Sequence, residues 1–155
     1  MKYIYIPILL ILFSCQTPTK ISEQEVRETF NEFFDIIDNN IENFGSIITD
    51  DLYIFENSRK YTADEFIEFV GGFDIIETRR RVEDVVIDTD HNSAHLTLTQ
   101  FGEFFVNTPE GEVKMDYEWL ESVYFVKDND KLKIKFYFSE VINNSTTPFI
   151  FSELF

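Results

Sequence analysis

The second half of the chain is written in a period of two. Ala94, Leu96 and Leu98 alternate with His95, Thr97 and Thr99, and Leu132, Ile134, Phe136 and Phe138 alternate with Lys131, Lys133, Lys135 and Tyr137. Alternation of this kind puts apolar side chains on one face of a strand and polar ones on the other. Four long segments read as strands, 76–89, 94–107, 113–127 and 131–142, the third with both parities apolar. The links between them, "DHNS", "TPEGE" and "DND", suit antiparallel hairpins and little else. A meander with one apolar face needs a cover, and it has to come from upstream.

Upstream the period changes. Ser22 and Glu25 form a capping box, after which Val26, Phe30, Phe33, Phe34, Ile37, Ile41 and Phe44 recur in steps of three and four until Gly45. That predicts one long helix with a broad, bulky stripe. Residues 46–50 read as a turn or a short second helix, and 52–55 as a short strand. A second box, Thr62 with Glu65, opens a helix carrying Phe66, Phe69, Val70 and Phe73 on one face, which Gly71 and Gly72 end. Helices segregated from a single antiparallel sheet make an α+β domain. At 155 residues, 44% hydrophobic and 17% aromatic, the chain is long and apolar enough for one domain with its own core.

The first fourteen residues stand apart. "MKYIYIPILLILFS" has one Lys and then an apolar run too short to cross a bilayer, which needs about 20 residues. Its end, "LFSC", resembles the lipobox of bacterial lipoproteins, with Leu12, Ser14 and Cys15 in the matching places and Phe13 bulkier than usual. That resemblance implies cleavage after Ser14, a lipid on the Cys15 sulfur and anchorage to the membrane. The usual sorting rule, with Gln16 and not Asp following, favours an outer membrane over an inner one. Cys15 is the only cysteine, so it has no disulfide partner, and an apolar run offers nothing to lower a thiol pKa. The organisation read here is a signal peptide over 1–14, a tether over 15–21, a domain over 22–142 and an apolar tail over 143–155. The five residues "QTPTK" after Cys15 reach at most about 17 Å, so the domain is expected close to the membrane face.

Two further stretches, "LYIFENSRKYTADEFIEFV" and "WLESVYFVKDNDKLKIKFYFSE", resemble the nuclear transport factor 2-like superfamily in its SnoaL-like, polyketide-cyclase-like branch. In the second, Leu132 and Asp130 stand where the family commonly has Trp and Gly. The resemblance implies a cone: a strongly curved antiparallel sheet wrapped around the long N-terminal helix, open at one end. Members use the hollow as a small-molecule pocket or an active site, and some dimerise through the outer sheet face, so a homodimer is one implied assembly.

Charge narrows the partners. Lys and Arg total 13 against 29 Asp and Glu, a formal net charge of −16. Such a surface repels phosphate backbones and anionic substrates, which argues against nucleic acid and for neutral or cationic ligands. His91 and His95 sit four apart on or beside a turn, about 13 Å along a strand, too far to share a metal. "DTDHNS" begins like a calcium loop but has Ser93 and Thr99 where Gly and Glu are required. Arg79, Arg80 and Arg81 read as cross-strand partners of Glu77, Glu83, Glu103 or Glu121, with an alternative role at the cone mouth. No nucleophile elbow, phosphate loop or dinucleotide fingerprint occurs. The reading names no catalytic residue, no metal and no cofactor.

What remains is aromatic. Tyr53, Tyr61, Phe66, Tyr117, Trp119 and Phe136, with Gln100 as a lone polar group, come from segments that border the hollow in the resembled fold. The favoured reading is a lipid-anchored, non-catalytic domain binding a neutral or apolar small molecule or a partner protein. Its rivals are an isomerase, dehydratase or cyclase with an acid–base residue in the cone, and an interaction module working through the outer sheet or the tail. A buried carboxyl beside a Tyr at the bottom of the cone would favour the enzyme.

Overall fold

The computed structural model describes residues 19–149, so Cys15, the segment before it and the tail beyond Phe149 lie outside the described residues. Helix α1 (Glu23–Asn39) leads through a two-turn 3-10 segment (Ile41–Ser46) into β1 (Ile48–Glu56), β2 (Arg59–Tyr61) and α2 (Ala63–Val70). The meander follows as β3 (Asp74–Thr89), β4 (Ser93–Thr108), β5 (Gly111–Asp128) and β6 (Lys131–Pro148). The six strands form one curved, unclosed sheet in the order β2-β1-β6-β5-β4-β3. Every neighbouring pair is antiparallel except β1 with β6, which makes the sheet mixed.

Local chemistry accounts for the elements. The Ser22 hydroxyl accepts from the Glu25 N–H at 3.1 Å, and the Thr62 box closes in both directions with Glu65. Asn57 with Ser58, and Asn129 with Asp130, hold φ between 50 and 64°, the left-handed pairs that two-residue hairpins need. Helix α1 stops at Asn39, short of the stripe's end at Phe44. Asn39 and Asn40 are poor helix formers, the Asn39 amide donates back to Asp35 Oδ1, and no basic residue steadies the last turn. The tighter 3-10 segment still delivers Phe44 into the core.

The core lies between α1 and the concave face. Val26, Phe30 and Phe33 from the helix meet Leu96, Leu98, Val123, Phe125 and Ile134 from the strands. Beyond that the expected alternation on β6 fails. Ile134 pairs with Phe125 and Phe136 with Tyr124, leaving Lys135 as an extra residue in a β-bulge. One extra residue inverts the side chains that follow, as far as the second shift at Ile142. Tyr137 and Ser139 therefore turn inward and are buried, whereas Phe136 packs near Tyr53 and Phe55 on the opposite face. The strand also continues through 143–148 to pair Pro148 with Val113, at an end where β1 no longer flanks it and a missing N–H costs no ladder bond. Phe149 then donates its N–H to Glu112 and lays its ring against Phe105.

Candidate functional site

The concave face is filled at one end and hollow at the other. A cavity of about 500 Å³ lies between α1, α2 and the inner faces of β3 to β6. Its apolar wall is Phe33, Phe34 and Ile37 from α1, Phe66, Phe69 and Val70 from α2, and Phe104, Met115 and Tyr117 from the sheet. Tyr117 stacks on Trp119 at 5.0 Å and 14°, and Phe104 stands edge-on to both. Gly102 makes that stack possible: a Cβ there would lie 2.7 Å from Trp119 Cζ3.

Most of the ionisable groups lie on the sheet, with Asp38 added from α1. Glu56 at the end of β1 and Glu121 in β5 are both in register with Ser139 of β6, so the two carboxyls flank Ser139 on one row and line the cavity. Neighbouring strands are about 4.8 Å apart, which puts their Cα atoms about 10 Å from each other. Tyr137 donates its hydroxyl to Glu121 Oε1 at 2.6 Å. Glu121 is 4% exposed, and burial pushes its carboxyl up to about 8 against the opposing pulls of the Tyr137 hydrogen bond and Arg80. Burial likewise pushes Glu56 up to about 7, with Arg80 pulling it back. Buried beside Glu121, Tyr137 is held well above the ordinary tyrosine range. Burial thus raises both carboxyls to or above neutrality, so each can hold a proton near pH 7.

Arg80 is the cavity's guanidinium. It grips Asp38 of α1 through two hydrogen bonds of 2.8 and 3.1 Å and lies between the rings of Phe34 and Phe104. Its neighbours in the triplet point the other way: Arg79 pairs with Glu77 and Glu103 over the Phe105 ring, and Arg81 with Glu83 over Phe101. The charge of the triplet is therefore already matched. His95 is exposed and bonded to Ser122, and His91 sits in the β3–β4 turn.

Of the residues singled out from sequence, Phe66, Gln100, Tyr117 and Trp119 meet in this cavity. Tyr61 is buried in the adjoining core against Phe66 and Phe69. Tyr53 and Phe136 stand together on the outer face, Phe136 because of the bulge at Lys135. Glu56 and Tyr137 carry no cavity role in the sequence reading, Arg80 enters it only through the triplet's alternative role at the cone mouth, and Glu121 only as a partner for the arginines. A signal for Glu121 existed. The two-residue turn that opposes Thr108 to Gly111 sets a register in which Leu98 faces Glu121, and Leu98 was already read as apolar-face.

No protein-family model matches the chain, and no curated protein matches it in sequence. Solved structures do. A hexachlorocyclohexane dehydrochlorinase (LinA type 2) superposes with a TM-score of 0.68 at 9% identity, over 82% of this chain and 89% of that one. A nuclear transport factor 2-like protein from Cytophaga hutchinsonii gives 0.62 at 13% identity, over 79% of this chain and all of the other. The chain has the nuclear transport factor 2-like fold. The association domain of CaMKII from C. elegans shares the fold too, at a TM-score of 0.59 and 12% identity over 75% of this chain and 92% of that one. The nuclear transport factor 2-like fold therefore carries enzymes and assembly domains alike, and only the residues inside it can choose between them.

Proposed function

We propose that the cavity is the active site of an acid–base enzyme of the lyase or isomerase kind, acting on a neutral small molecule. The observation that carries this reading is the row Glu56–Ser139–Glu121 with Tyr137 bonded to Glu121, at the floor of an aromatic cavity. It moves the preference away from a purely binding domain, the reading the sequence favoured. Glu56, near neutrality, takes a proton from a substrate carbon. Glu121, protonated at pH 7, delivers its own to the leaving oxygen, and the electron pair of the broken C–H bond becomes the new double bond. In an isomerisation the second proton goes to the far end of the same π system. The acidic exterior and the aromatic walls suit a neutral substrate. The likeness to a dehydrochlorinase, which is named for an elimination, is in keeping with this chemistry.

The test is exchange of carbon-bound hydrogen with D₂O across a panel of neutral cyclic ketones and alcohols, followed by NMR. The wild type should exchange or convert at least one member, and Glu56→Gln and Glu121→Gln should each slow it by about 10²-fold or more. A wild type that binds panel members yet exchanges none would return the domain to the binding reading.

We also infer that Cys15 carries the lipid anchor and places the domain at the bacterial cell envelope, at the outer membrane in preference to the inner. Mass spectrometry of the mature N-terminus decides it: an unmodified Met1 or an unacylated Cys15 refutes the anchor. The convex face, where Phe55, Leu120 and Tyr124 are exposed beside Phe136, is the surface for a homodimer, and light scattering of the detergent-solubilised chain reads its mass directly.

A further inference from the structure

Among the described residues, three buried side-chain polar atoms have no hydrogen-bond partner, Gln100 Oε1, Trp119 Nε1 and Glu121 Oε2, and all three belong to residues that line this cavity. Their residues are 2%, 7% and 4% exposed. Leaving such groups unpaired costs about 1–3 kcal/mol each, so each of the three gains from a hydrogen-bonding partner supplied from the cavity. They are also neighbours. Gln100 and Trp119 are opposed across β4 and β5, and Glu121 lies two residues along on the same face as Trp119.

Their hydrogen-bonding roles define the occupant. Trp119 N–H only donates, and Gln100 Oε1 only accepts. Glu121 Oε1 already accepts from Tyr137, so a proton on this carboxyl sits at Oε2 and makes it the second donor. Two donors and one acceptor complement one common group, a hydroxyl, whose oxygen accepts twice and whose hydrogen is given once. A carbonyl or an ether oxygen leaves Gln100 Oε1 unpaired, and an ammonium leaves the Trp119 N–H unpaired.

We propose that Gln100, Trp119 and Glu121 form a hydroxyl-binding site, and that the cavity's ligand is a neutral alcohol, phenol or enol with an apolar body. This rests on the acid–base reading for the identity of the cavity as the ligand site, but it does not require turnover. The Trp119 N–H and Glu121 donate to the ligand oxygen, and Gln100 Oε1 takes its hydrogen. The Tyr117–Trp119 stack, held in place by the absence of a side chain at Gly102, forms a wall for the apolar part. Gln100 and Trp119 then set specificity, and Glu121 is the one member of the trio with a proton to transfer.

Trp119 is the only tryptophan in the sequence, so its emission reports on this site alone. The probes are 1-adamantanol, its methyl ether and 1-adamantylamine, titrated into the full chain in detergent. The alcohol should bind at least tenfold tighter than the ether, because the ether gives Gln100 nothing. Gln100→Met should bring that ratio to about one while leaving ether affinity unchanged. Trp119→Phe, followed by calorimetry, should weaken alcohol and ether together by about tenfold, since both accept from the indole. A role in packing alone would not move the ratio selectively. An ether that binds as well as the alcohol in the wild type, an alcohol that does not bind, or an amine that binds tightest would each overturn the proposal. Alcohol selectivity without deuterium exchange would sink the catalytic reading and leave this one standing. Exchange in a substrate lacking a hydroxyl, with a ratio of one, would do the reverse.

Discussion

The inner face of β4, β5 and β6 has two ends, and the same three strands build both. At one end Leu96, Leu98, Val123, Phe125 and Ile134 close against α1 as a dry core. At the other, the next inward positions are Gln100, Trp119, Glu121, Tyr137 and Ser139, and the helix no longer fills the space. The change comes within one strand-to-strand row: Leu98 on β4 is the direct neighbour of Glu121 on β5. The five strand residues at the dry end are all apolar and buried. The hollow end holds groups that are unfavourable to bury, and they persist because the rest of the sheet over-determines their position.

The comparison breaks most easily at the dry end. Phe125→Ala should destabilise the fold by about 3–5 kcal/mol in urea or guanidinium unfolding, the usual range for a fully buried Phe. An equally large loss from Gln100→Met would show that the two ends are not different in kind.

The next largest effect is on pH dependence. Glu121 is raised from 4.5 to about 8 on folding, so the folded state holds a proton that the unfolded state has given up. Its contribution to stability is complete below about pH 4.5 and is lost as pH rises toward 8. The slope is at most about 1.4 kcal/mol per pH unit. Melting curves between pH 5 and 8 should therefore fall in the wild type and flatten in Glu121→Gln. Glu56→Gln should flatten a narrower range, ending near 7. A wild-type profile that is flat or rises would contradict the buried, protonated Glu121.

The smallest effect sharpens the contrast. Gly102→Ala sets a methyl 2.7 Å from the Trp119 ring, a clash that in a filled core costs about 1–3 kcal/mol. Here the ring borders a cavity and has space to move into, so the loss should be about 1 kcal/mol. The tryptophan emission should shift and ligand binding should fall more than stability does.

Most of the fold was legible because its signals are local. Both helix N-termini are marked by their Ser or Thr and Glu, and the four long strands by alternation and hairpin turns. The site was only half legible, for two physical reasons. A bulge has no strong signature in a single sequence, and the one at Lys135 turned Phe136 outward and Tyr137 inward. Both parities of β5 are apolar, so Glu121 could be placed only by carrying Leu98 across the hairpin. Glu56 depends on a still longer relation, the parallel pairing of β1 with a strand more than seventy residues away.

That parallel pairing has a temporal consequence. The row that holds the two carboxyls needs β1, β5 and β6, which are the first, the fifth and the last strands in the chain. No N-terminal fragment ending before β6 can contain the site, however well its helices form. Contacts of such long sequence separation are assembled late and slowly. The site is complete only when β6 stands between β1 and β5.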